Sequence, residues 1–227
     1  MARLILIETA ASMLSTAIVE GGRIICSLES DEPRSQAAMT APFVKQMLDE
    51  TGLKASDCDA VCVSKGPGSY TGLRVGVSTA KGIAFGAGIP LIGIGTLDIL
   101  ARQGIEAGGA DFIVPLIDAR RMEVYTAVYD RSGKRLCDIS PRIIDSDSFA
   151  DEIPSSASVL YIGDAAEKCR EPLSRPGSAF IQTFPKAAAM APLAEEAFEK
   201  KQFEDVAYFE PFYLKDFIAT VSRKKLF

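Results

Sequence analysis

Apolar and polar residues follow two different periods along this chain. Leu4 to Ile7 is a continuous apolar run between Arg3 and Glu8, as expected of a strand buried on both faces. Leu14 to Val19 reads as a second strand and Ile24 to Leu28 as a third. Between them lies Glu20-Gly21-Gly22-Arg23. Paired glycines supply the positive φ of a type I′ turn, so the third strand returns antiparallel. A helical period runs from about Ser35 to Thr51, with Ala37, Ala41, Val44 and Leu48 on one face and Gly52 as its stop. Pro42 kinks this helix or marks a late start. Ala60 to Ser64 is a strand, Thr71 to Ala87 a helix ended by Gly88 and Pro90, and Leu91 to Ile94 a strand. A short helix to about Gln103 closes this half.

The second half begins in the same way. Phe112 to Ile117 and Val124 to Tyr129 are strands, Arg131-Ser132-Gly133-Lys134 a turn, and Arg135 to Ile144 the returning strand. The halves align at a constant offset of about 110 residues: Ile7 meets Ile117, Glu8 meets Asp118, and Thr16 to Glu20 meets Thr126 to Asp130. Both copies place an acid directly after the first strand. The second copy then becomes irregular, with a strand from Val159 to Ile162 and a helix from Ala187 to Lys201 interrupted by Pro192. The small-residue stretch Gly104 to Ala110 suits a linker. The expected fold is therefore α/β, with two tandem lobes over residues 1–105 and 106–227. Each lobe is a mixed sheet that opens with a three-strand antiparallel meander and is flanked by helices. The C-terminal tail is expected to pack back on the first lobe.

The segment from Ser64 to Gly86, SKGPGSYTGLRVGVSTAKGIAFG, raises a question. A strand, a glycine-rich loop and a helix form the usual cradle for a phosphate. No Lys-Ser or Lys-Thr pair follows the loop, which favours a rigid turn over an anion site. The helix behind it carries Gly72, Gly76, Gly82 and Gly86, each costing about 1 kcal/mol against alanine. Gly72, Gly76 and Ala80 lie on one stripe, and Leu73, Val77 and Ala84 on another. One stripe is expected to cover the chain's own sheet and the other to meet a partner helix at short range.

Composition narrows the chemistry. The chain has 227 residues, a formal charge of −5 and no histidine. Without histidine there is no HExxH metal site and no Ser-His dyad, which argues against a protease. The acidic balance argues against a nucleic-acid grip by this chain alone, and the basic SRKKLF end reads as solvated. Cys26, Cys58, Cys62, Cys137 and Cys169 are scattered and odd in number, as free thiols are. No structural zinc or other metal is expected. The apolar start reads as a first strand rather than a signal peptide because Glu8 cuts it short. The expected location is the cytoplasm, with no membrane association.

Two tandem meanders, each ending its first strand in an acid, resemble the actin, sugar kinase and Hsp70 superfamily, whose lobes are ribonuclease H-like. In that fold ATP lies between the lobes, acids hold its magnesium ion and glycine loops cradle its phosphates. Three stretches narrow the resemblance: Ser64 to Gly86, DARRMEVYTAVYD from Asp118 to Asp130, and EPFYLKD from Glu210 to Asp216. They are similar to the TsaB family, also called YeaZ. The family supplies accessory subunits for making threonylcarbamoyladenosine in tRNA. Its partner and paralogue, TsaD, uses two helix-borne histidines as metal ligands; the matching helix here, Arg34 to Leu48, has none. Many family members carry one histidine near the start of that helix, where this chain has Ser35 and Gln36. Glu8-Thr9-Ala10 also departs from the superfamily's Asp-Thr-Ser or Asp-Gly-Thr.

The resemblance implies a non-catalytic scaffold that pairs with TsaD as a heterodimer and works with the ATPase TsaE. It implies contact with tRNA only through the complex, and a homodimer when alone. No cofactor is expected on this chain alone; ATP or ADP belongs at the complex interface. The implied partner face is Tyr70, Thr71, Gly72, Arg74, Val75, Gly76, Thr79, Ala80 and Ile83. Glu8, Thr9, Gly66, Gly68, Asp118, Arg120 and Arg121 fall near the nucleotide position, Glu8 and Asp118 as relics of a magnesium site. A weak ATPase or phosphotransferase of the same fold is the competing function.

Overall fold

In the computed structural model, residues 1–32 and 35–215 are described. Arg34, Asp216 and the basic SRKKLF end lie outside them. Two mixed sheets carry the chain. The first joins β1 (Arg3–Glu8), β2 (Leu14–Glu20), β3 (Arg23–Ser30), β4 (Ala60–Gly66) and β5 (Leu91–Gly95) in the order β3-β2-β1-β4-β5. The meander is antiparallel, while β4 and β5 run parallel to β1. Gly21 and Gly22 have φ of 54° and 77°, the turn the paired glycines called for. Helices α1 (Gln36–Thr51) and α2 (Tyr70–Ala87) cover one face of this sheet. Helix α3 (Thr96–Ala107) lies towards the other.

The second sheet repeats the plan with β6 (Phe112–Asp118), β7 (Glu123–Thr126), β8 (Tyr129–Asp130), β9 (Ser140–Ile143), β10 (Val159–Gly163) and β11 (Ser178–Gln182). Its order is β11-β10-β6-β7-β9, with β8 also on β6. Helix α4 (Arg170–Leu173) links β10 to β11, and α5 (Ala191–Glu199) follows the sheet, preceded by a 3-10 turn over Ala187–Met190. That turn and α5 pack against Leu4, Leu6, Ala17 and Ile92 of the first sheet. The two halves therefore share buried surface.

Several elements differ from the sequence reading. Helix α3 runs to Ala107, because Gly104 lies inside it and lets it press on Ile113: an added Cβ would stand 2.7 Å from Ile113 Cγ2. The buried face of α1 is Thr40, Val44 and Met47, while Ala37 and Ala41 are exposed. Thr40 can be buried because its hydroxyl donates to Gln36 O at 2.6 Å. Pro42 sits within an unbroken α1, and Pro192 starts α5 rather than interrupting it. Edge strand β11 is not expected from the sequence; its short run SAFIQ has no buried position and no strict alternation.

After α5 the chain crosses back over the first sheet. Glu204 N–H donates to Leu91 O at 2.8 Å, and Phe212 N–H to Lys65 O at 2.6 Å. Lys81 of α2 donates to the carbonyls of Ala207 and Phe209 at 3.1 and 3.0 Å. Beyond Tyr213 the segment reaches β7, where Lys215 pairs with Glu123. Residues 204–215 thus form a strap from the first sheet to the second.

Candidate functional site

Strands β1, β4 and β5 run parallel, so their C-terminal ends open on one side, where α/β folds build sites. Glu8 ends β1 and is fully buried. Its Oε1 accepts the Ala10 N–H at 2.6 Å and the Ser64 hydroxyl at 2.9 Å, whereas Oε2 has no partner. Burial pushes this carboxyl up to about 7, against the hydrogen bonds to Oε1, which favour ionisation. Thr9, also buried, donates its hydroxyl to Gly72 O at 2.8 Å. Ser69 caps α2: its Oγ accepts the Gly72 N–H at 3.3 Å, and its own N–H goes to Ala10 O at 2.7 Å.

These bonds explain the glycines. A Cβ on Gly68 would lie under 3.0 Å from Ala10 O, one on Gly72 from Thr9 O, and one on Gly76 from Thr9 Oγ1. Gly66, at φ 110°, would meet Phe212 O at 2.6 Å. The space over the glycine loop is therefore taken by the chain's own β1–β2 loop and strap. Gly72, Gly76 and Ala80 face inward and are corrected out of the partner face. The apolar stripe Leu73, Val77 and Ala84 is buried too, so it offers nothing to a homodimer. The outward side of α2 carries Thr71, Arg74, Ser78, Gly82, Phe85 and Gly86, with Tyr70, Val75, Thr79 and Ile83 half-buried at its edges. Phe85 is 84% exposed, and nothing lies within 4 Å of a Cβ on Gly82 or Gly86. Helix α2 contains no acidic residue.

In the second copy Asp118 is exposed. Its Oδ1 accepts the Arg120 N–H at 2.8 Å and pairs with Lys168. Lys168 Nζ also donates to the carbonyls of Arg121 and Glu123 at 2.7 and 3.0 Å, so one ammonium holds the whole β6–β7 turn. Arg120 and Arg121 take φ of 74° and 52° there, with both side chains exposed. Asp164 accepts the Asp118 N–H at 2.8 Å, and burial raises its carboxyl to about 6.

The superfamily's magnesium and triphosphate do not fit these residues. One acid is buried and hydrogen-bonded to its own loop, the other is neutralised by a lysine, and the glycine loop is filled. Among the described residues no group of three or more His, Cys, Asp or Glu could hold a metal ion. Ser64 and Lys168 escaped the sequence reading. Ser64 carried a weak signal, as the one hydroxyl closing the apolar run of β4; Lys168 carried none.

Comparison with known proteins places this arrangement. The protein-family model described as "TsaD: tRNA N6-adenosine threonylcarbamoyltransferase" matches residues 33–222. The tRNA threonylcarbamoyladenosine biosynthesis protein TsaB of Escherichia coli K12 is 36% identical over 129 residues, 57% of this chain and 55% of that protein. The protein of the same name from Bacillus subtilis 168 is 32% identical over 135 residues, 60% of this chain and 58% of its own. The matches thus span about half the length of these curated relatives. In three dimensions, YeaZ from Pseudomonas aeruginosa superposes with a TM-score of 0.83 at 26% identity, over 94% of this chain and 100% of that one. The activator of 2-hydroxyisocaproyl-CoA dehydratase from Clostridium difficile shares the fold alone, with a TM-score of 0.51 at 12% identity over 88% and 97% of the two chains. The filled cradle belongs to an actin-like fold, and the chain belongs to the TsaB (YeaZ) family, within the group that the threonylcarbamoyltransferase model describes.

Proposed function

We propose that this chain is a non-catalytic scaffold subunit of tRNA threonylcarbamoyladenosine synthesis, pairing with a TsaD-type transferase through the outward side of α2. The observation that carries the reading is the division of α2 into two sides. Its inward glycines serve the chain's own packing, while its outward side leaves Phe85 in water and stays smooth at Gly82 and Gly86. A bare, small-residue helix face with one large exposed ring is poor surface for a monomer and good surface for a helix of another chain.

The same reading assigns no nucleotide to this chain alone. The filled glycine loop and the Lys168–Asp118 pair support that assignment. Nucleotide, the ATPase TsaE and tRNA then meet the complex rather than this subunit by itself.

The test is reconstitution. TsaD from the same organism should co-purify with the chain and modify tRNA only when the chain is present. The isolated chain should not turn over ATP. Modification at the same rate without the chain sinks the scaffold reading. ATP turnover that disappears in Asp118→Ala favours the competing enzyme.

A further inference from the structure

Arg74 has an unusual setting. It lies on the exposed side of α2, one turn after Tyr70. Its guanidinium carbon stands 5.4 Å from the centroid of the Tyr70 ring, and NH1 donates to Tyr70 Oη at 2.8 Å. The Tyr70 ring packs in turn against Tyr213 of the strap, with centroids 4.9 Å apart and planes tilted by 35°. The strap is anchored on both sides of this stack, by the Phe212–Lys65 bond and by the Lys215–Glu123 pair. Lys215 also lies over Tyr125, 5.8 Å from the ring centroid.

Four of the described arginines pair with a carboxylate, Arg3 with Glu20, Arg102 with Glu106, Arg142 with Glu152 and Arg170 with Glu167; Arg74 is instead held by the hydroxyl and ring of Tyr70. Among the described residues Arg74 forms no ion pair. The helix that bears it has Lys81 as its other cation and no acid, in a chain of net charge −5. Its first turn adds the positive end of the helix dipole. An arginine that lies over a tyrosine ring, donates to that tyrosine's hydroxyl and forms no ion pair among the described residues is pre-ordered to receive a carboxylate in two-pronged fashion.

We propose that Arg74 is the anchor for a carboxylate on an acidic helix of the partner, and that Tyr213 of the strap is the residue that positions it. The proposal rests on the scaffold reading above and adds the chemistry of the partner at that face. It also makes the second lobe part of recognition, because the strap that carries Tyr213 is fastened there. A partner helix crossing α2 meets Phe85 at one end and Arg74 at the other, with the bare positions between them.

The experiment is titration calorimetry of the full chain with purified TsaD. Arg74→Gln should weaken binding by about tenfold or more, as expected for an interfacial arginine anchor. Arg74→Lys should recover only part of that loss, because lysine keeps the charge without the fork or the stacking. Tyr213→Ala should weaken binding severalfold, while Tyr213→Phe binds as wild type because the ring is kept. In the double variant Arg74→Gln/Tyr213→Ala the losses should not add, since the tyrosine acts through the arginine. Circular dichroism checks each fold; if Tyr213→Ala unfolds, Tyr213→Leu removes the aromatic face and keeps the bulk. Wild-type chain that fails to bind TsaD overturns the scaffold reading together with this one. Wild type that binds while Arg74→Gln binds equally well overturns the anchor alone. Additive losses in the double variant overturn the positioning role of Tyr213.

Discussion

Two glycines on one helix should respond to alanine with opposite signs. At Gly72 an added methyl enters the space of the Thr9 carbonyl, under 3.0 Å away, where ordinary contact begins at 3.4 Å. The carbonyl belongs to backbone, so relief requires the β1–β2 loop to move. That movement disturbs two bonds of the same loop, Thr9 Oγ1–Gly72 O at 2.8 Å and Ser69 N–Ala10 O at 2.7 Å. Overpacking costs about 1–3 kcal/mol, and each weakened hydrogen bond about 1 kcal/mol. Alanine returns about 1 kcal/mol of helix propensity. The net loss for Gly72→Ala is then about 2–4 kcal/mol. At Gly82 nothing lies within 4 Å, so Gly82→Ala keeps only the gain, up to about 1 kcal/mol. Urea denaturation followed by circular dichroism separates them. With a slope of about 3 kcal/mol per M, a 3 kcal/mol loss lowers the midpoint by about 1 M. If the two variants shift the midpoint equally, the inward glycines are not there to admit the β1–β2 loop, and the account of α2 fails.

Glu8 gives a pH test. Its folded pKa of about 7 lies above its ordinary value of 4.5, so the native state holds the proton more tightly than the unfolded chain. Its contribution is full below about pH 4.5 and is lost as pH rises to about 7, by up to about 3 kcal/mol. Glu8→Gln should flatten the stability profile over that interval; an unchanged profile counts against burial as the cause. Lys168→Ala removes one ammonium from three acceptors of the β6–β7 turn and should cost about 1 kcal/mol, with faster amide exchange at Arg121 to Glu123 as the local readout. Phe85→Glu should leave stability within about 0.5 kcal/mol while abolishing capture by immobilised TsaD, because the ring touches water in the isolated chain. Chelators should leave the melting temperature unchanged, which a scan with and without EDTA checks.

The parts of the fold that were legible in the sequence were those in which one residue type does one local job. Gly21 and Gly22 demand a hairpin, Gly52 and Gly88 end helices in the left-handed region, and Leu4 to Ile7 must be buried on both faces. The glycines of α2 suggest close approach, and Gly72 and Gly76 provide it, to the chain's own β1–β2 loop, while Gly82 and Gly86 stand open. What periodicity could not tell was to which neighbour. The answer depends on Thr9 and Ala10, some sixty residues earlier, and no spacing within the helix encodes them. The face of α1 was misjudged because Ala37 and Ala41 look apolar while Thr40 does not, although a threonine that bonds its own helix buries readily. The tail's return to the first lobe was expected, but the places where it docks were not legible. Residues 204–215 have little regular structure, and they are held by backbone bonds to Leu91 and Lys65 and by the Lys81 ammonium on two of their carbonyls, contacts that leave no periodic pattern.

Lys168 gives the β6–β7 turn a counterion that is covalently tethered. A free divalent ion leaves when it is diluted or outcompeted, and any loop it orders then follows its concentration. An ammonium tethered through the chain's own side chain keeps the same local concentration whatever is in solution. The turn bearing Arg120 and Arg121 is therefore held by a group that does not leave on dilution. The counter-charge at Asp118 is thus a fixed part of the protein's own surface.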